Sequence, residues 1–86
     1  MKTFKDLEFV AHPSHIEGVQ ARIIFENGYG ASVVKTPYTY GGDKGLYELA
    51  VFKNGEITYA TPITDDVIGY LRPEDVTDVM TKIQQL

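Results

Sequence analysis

The sequence predicts an α+β fold, an antiparallel β-meander of four to five strands with one C-terminal helix packed on one face. Two observations carry that prediction. First, Phe25-Glu26-Asn27-Gly28 and Phe52-Lys53-Asn54-Gly55 set Asn-Gly between segments rich in β-branched and aromatic residues. A type I′ hairpin turn needs positive φ at both central residues, and Asn tolerates what Gly adopts freely. Second, apolar residues after Pro73 recur at helical spacing. A chain of 86 residues holds one small α+β domain, 1–86, and a small core.

The elements follow in order. Leu7–Ala11 reads as a first strand, and His12-Pro13-Ser14-His15 as a loop, because Pro13 cannot donate to a ladder. Val19–Glu26 and Tyr29–Lys35 form the first hairpin. With a two-residue turn Glu26 faces Tyr29. Phe25, Ile23, Ala21 and Val19 then share a face with Gly30, Ser32 and Val34. The other face carries Ile24 and Arg22 with Tyr29, Ala31 and Val33. Leu46–Lys53 and Glu56–Thr61 form the second hairpin. Phe52, Ala50, Ile57 and Tyr59 share one of its faces, and Tyr47, Leu49 and Val51 the other. Both sheet faces are then apolar, whereas a half-solvated antiparallel sheet alternates apolar and polar residues. One helix covers only one face. The second face calls for an intramolecular cover or a homodimer contact.

Thr64 before Asp65-Asp66, with Gly69 as a stop, predicts one helical turn at Asp65–Ile68. Pro73 at a first helical position and Glu74-Asp75 behind it predict a helix over Pro73–Gln85. Val76, Val79, Met80, Ile83 and Leu86 form its apolar stripe.

Composition excludes several chemistries. There is no cysteine, so disulfides, thiolate zinc sites and thiol nucleophiles are absent. The net charge is −4 and the eight basic residues are scattered. That argues against nucleic acid as a partner, since phosphate binding rests on Lys and Arg. No apolar stretch is long enough for a membrane span. Membranes are therefore not an expected partner, and a cytoplasmic protein is the expectation.

The main functional candidate is the loop 35–45, with Tyr38, Tyr40, Gly41, Gly42, Asp43 and Lys44. Tyrosine supplies rigid contact area with a polar tip, and glycine admits close approach. A connection of this length often carries function. The plain alternative has Tyr38 and Tyr40 folding back to cap the sheet. Tyr29 at the first turn joins the candidate surface, and Asp65 and Asp66 add an acidic rim. Gly41-Gly42-Asp43-Lys44-Gly45 lacks the spacing of a phosphate loop. His12 and His15 with Asp65 or Asp66 would complete a two-His, one-carboxylate metal site only if the fold gathered them. The expected reading is loop histidines and a capped turn. No catalytic set, metal or cofactor is expected.

The stretches from Phe25 through Val34, Gly45 through Val51 and Thr61 through Leu71 resemble small uncharacterised proteins encoded by bacteriophages and prophages. The resemblance implies a small accessory protein in the cytoplasm of a bacterial host, and it carries no activity or site residue with it. The expected function is a non-enzymatic protein-binding module. The alternatives are a small-molecule or nucleotide-binding protein using the 35–45 loop, and a structural homo-oligomer joined through the second sheet face.

Overall fold

A computed structural model of the chain describes residues 1–14, 17–64 and 66–86. Strands β1 (Val10–Ala11), β2 (Val19–Ile24), β3 (Tyr29–Lys35), β4 (Tyr47–Lys53) and β5 (Glu56–Ile57) form an antiparallel meander in chain order. A further strand, β6 (Ile68–Leu71), pairs with β4 beside β5. Helix α1 (Pro73–Gln84) crosses one face. The predicted α+β architecture is present.

The two Asn-Gly pairs make different turns. At the second, Asn54 and Gly55 have φ of 52° and 85°, the type I′ hairpin that the sequence predicts. At the first, only Gly28 is left-handed, at 87°, and Phe25 rather than Glu26 faces Tyr29: the Phe25 N–H donates to the Tyr29 carbonyl at 2.7 Å. The turn holds three residues, closed by the Gly28 N–H on the Phe25 carbonyl at 3.1 Å. Asn27 is drawn elsewhere. Its Nδ2 donates to the Ile83 carbonyl at the end of α1, at 2.9 Å, and its Oδ1 accepts from the Tyr29 N–H at 3.1 Å.

That one-residue difference overturns the expected faces, because side-chain direction in a strand has period two. Ile23 pairs with Ala31 and Ala21 with Val33, while Val33 pairs with Leu49 and Ala31 with Val51. These residues line one face, under α1. Ala31, Val33, Leu49, Val76, Met80 and Ile83 are fully buried there. The opposite face carries Gln20, Arg22, Ile24, Ser32, Val34, Glu48, Ala50 and Phe52, a polar-apolar mixture. The sheet is therefore not apolar on both sides. Arg22 lies over the Phe52 ring at 4.3 Å and helps cover it. Ile24 and Ile57 remain 64% and 48% exposed on that side.

Four other expectations are corrected. The first strand shortens to β1, because Phe4–Asp6 form a 3-10 turn and Phe4 and Phe9 stack against Tyr47 with ring centroids 5.2–5.5 Å apart. The second hairpin's return strand ends at Ile57 rather than Thr61. The segment predicted as a helical turn leads into β6, with Ile68 already in the strand; Asp65 lies outside the described residues. The helix ends at Gln84, one residue early. Its Pro73 occupies the first turn as expected, and Asp75 accepts from the Arg72 N–H at 3.0 Å and from Arg72 Nε at 3.0 Å. The Arg72 side chain thereby holds the Asp75 carboxyl below the usual carboxylate range.

The N-terminal segment is tied to the helix. Lys2 and Gln84 exchange two 2.8 Å hydrogen bonds, and the Phe4 N–H donates to Thr77 Oγ1 at 3.0 Å.

Candidate functional site: a tyrosine surface beside a strand bulge

The loop after β3 is locked by two threonines. Thr36 is buried, and its N–H donates to Thr39 Oγ1 at 3.0 Å. Thr39 Oγ1 donates in turn to the Thr36 carbonyl at 3.0 Å, and the Tyr38 N–H donates to Thr36 Oγ1 at 3.1 Å. Gly42 packs so closely on the Thr36 carbonyl that a Cβ there would collide with the oxygen. A 3-10 turn, Gly42–Lys44, completes the loop between left-handed Gly41 and Gly45. This framework leaves Tyr38 82% and Tyr40 61% exposed. They do not fold back as a cap.

Strand β6 brings a third tyrosine to the same place. Tyr47 pairs with Leu71 and Leu49 with Ile68, so Gly69 and Tyr70 together oppose Glu48. This is a β-bulge, which re-aims side chains and is frequent at functional sites. Through it Ile68 and Leu71, three residues apart, both reach the core. Tyr70 takes φ of 58° and stands 57% exposed. Its N–H donates to the Tyr40 carbonyl at 3.1 Å. Gly69 lies against Tyr40 Cβ, and Gly41 lies against the Tyr70 backbone and ring. Lys44 Nζ sits 5.8 Å from the Tyr70 ring centre.

Glu48 lies beneath this surface. Burial pushes its carboxyl above the ordinary glutamate value; hydrogen bonding from the Tyr40 backbone opposes that, and the neighbouring negative charge of Asp66 adds to it. Asp66 itself is exposed, and its Oδ1 accepts from the Val67 N–H at 2.8 Å.

The expected site residues thus divide. Tyr40, Gly41 and Lys44 gather at Tyr70, and Asp66 reaches them through Glu48. Tyr38 projects from the same loop. Gly42 and Asp43 line a separate open hollow of about 320 Å³ with Glu17, Lys35, Thr36 and Pro37. Tyr29 stands at the far end of β3, about 20 Å away at strand rise. It packs against the core under Lys53, whose Nζ is 5.2 Å from its ring. Asp65 and His15 lie outside the described residues. His12 Nδ1 accepts from the Ser14 N–H at 3.1 Å. Among the described residues no three His, Asp or Glu side chains group as a metal site, and no helix is long and apolar enough to cross a membrane.

Tyr70 and Glu48 are absent from the sequence-based candidate set. Their only local signal is the Gly69-Tyr70 pair, since the pairing of β6 with β4 is non-local. No protein-family model, curated protein or solved structure matches the chain.

Proposed function

We propose that this domain is a non-enzymatic protein-binding module whose contact surface is the set of exposed tyrosines Tyr38, Tyr40 and Tyr70. One observation supports this above the others: a bulky residue, Tyr70, is held in the left-handed region at the bulge and remains exposed beside Tyr40. Such a conformation costs about 1–2 kcal/mol, and strained residues of this kind cluster at sites of function. Exposed tyrosines on a rigid frame lose little entropy when a partner covers them. The resemblance to phage- and prophage-encoded proteins makes the partner a host or phage protein in a bacterial cytoplasm.

The small-molecule and nucleotide alternative has less support. The hollow at this loop, about 320 Å³, is at the small end for ligand pockets and takes in none of the three tyrosines.

Affinity capture from a bacterial lysate tests the proposal, comparing the wild-type chain with the Tyr38→Ala/Tyr40→Ala double variant. A protein captured by the wild type is lost with the variant. Its melting temperature moves by no more than about 2–4 °C, as for exposed substitutions worth roughly 0.5 kcal/mol. Equal capture by both chains sinks the proposal, and a much larger thermal shift makes the loop part of the core.

A further inference from the structure

The edge of β2 is only partly paired. β1 reaches Val19 and Gln20 and no further. Two hydrogen bonds fix which way the strand's main-chain groups point. The Phe25 N–H goes to Tyr29, so odd-numbered residues of β2 bond β3. The His12 N–H goes to the Gly18 carbonyl, so even-numbered residues face the β1 side. Arg22 and Ile24 therefore direct their N–H and C=O groups outward, beyond the end of β1. Among the described residues no hydrogen bond takes up these four groups.

The chain vacates this edge instead of following it. Before Val10 it turns under the sheet, where Leu7 is buried and Phe9 stacks on Tyr47. An open cleft of about 710 Å³ remains, lined by Ile24, Phe25, Met1, Lys2, Asp6 and Gln84 among others. Proteins usually guard an open edge with an outstretched charge or a proline. Here the Arg22 guanidinium leans inward onto Phe52 and Ile24 stays bare.

We propose that the open edge of β2 at Arg22 and Ile24, with the cleft beside it, is a β-augmentation site that takes an extended peptide segment of a partner protein as an added strand. Main-chain pairing supplies the hydrogen bonds in this mode, and pockets for alternate side chains supply selectivity. The occupant needs a short stretch free of proline, with an apolar side chain to lie against Ile24 or Phe25. A second copy fits poorly. For Arg22 to pair with Ile24 of a second copy, that copy's Glu26 would lie opposite Gln20, where Val10 already sits. This site is separate from the tyrosine surface and stands or falls without it.

Amide exchange followed by NMR tests the proposal, first on the free chain. Arg22 and Ile24 amides exchange at least tenfold faster than Ile23, whose N–H bonds β3. The probe is then a synthetic peptide selected from a random display library on the immobilised chain. At saturation it slows Arg22 and Ile24 exchange at least tenfold. N-methylation of the peptide amides that face β2 weakens binding about tenfold or more, as does Arg22→Pro, which removes an outward donor without touching the β3 ladder. If Arg22→Pro fails to fold, the methylated peptide still decides on the wild-type chain. Slow exchange of both amides in the free chain overturns the proposal. So does a library that yields no binder, a binder that perturbs only the tyrosine loop, or light scattering that shows a dimer protecting Arg22 and Ile24.

Discussion

Tyr70 holds a conformation that glycine adopts freely and a β-substituted aromatic does not. Replacing it with glycine separates its two roles. Tyr70→Gly should raise the urea midpoint, since about 1–2 kcal/mol of strain is relieved against roughly 0.5–1 kcal/mol of glycine chain entropy, and weaken partner capture. A lowered midpoint would mean that the ring's contacts with Gly41 and Lys44 outweigh the backbone cost. Glu48 makes a second prediction at this scale. Its carboxyl sits above the ordinary value of 4.5 in the folded chain, so the folded state holds its proton over a range where the unfolded state has released it. Stability then falls as pH rises through that range. Glu48→Gln should stabilise the chain at pH 7 relative to wild type, and the advantage should vanish on acidification below about pH 4.5. Thermal melts of both chains from pH 3 to 8 check this; an advantage unchanged at low pH would show that charge is not its source.

At the scale of elements, α1 is the piece most legible in the sequence. Pro73, the acids behind it and the stripe through Val76, Met80 and Ile83 are all local signals, and the helix forms where they point. Met80 is completely buried against the sheet. Met80→Ala should cost about 2–5 kcal/mol, measured as a shift in urea midpoint without a change in slope. The strands show how far local signals reach. The second hairpin obeys its turn dipeptide: the Asn54 N–H donates to the Gly28 carbonyl at 3.1 Å, and among the described residues no hydrogen bond draws the Asn54 side chain elsewhere. The first does not, because a helix end nearly sixty residues away competes for Asn27. Strand β6 is hidden for a related reason. Its four residues include glycine and a left-handed tyrosine, and its strand character comes from β4 alongside. The acids before it imitate a helix start.

For the molecule as a whole, the 35–45 loop was legible as an exposed feature because its composition resists regular structure. Its neighbours were not, since Tyr70, Glu48 and the open edge at Arg22 arise from pairings between distant segments. Register governs all three, and the first turn shows what register does and does not require. Phe25 and Tyr29 form a bonded pair on either side of Glu26, Asn27 and Gly28. Two residues suffice to close such a pair, so Glu26 is a spacer that the meander does not need. Deleting it should leave Asn27-Gly28 as a type I′ turn between the same partners, with every strand keeping its face. What disappears is the reach of Asn27 to the Ile83 carbonyl, a loss of about 1 kcal/mol. A circular dichroism spectrum like wild type with a modestly lower melting temperature is the expected result. A collapse of the fold would show that the extra residue sets the register as well. On this reading the deletion-tolerant Glu26 is what lets its neighbour Asn27 join hairpin to helix, and a chain one residue shorter would keep its architecture while its helix end came loose.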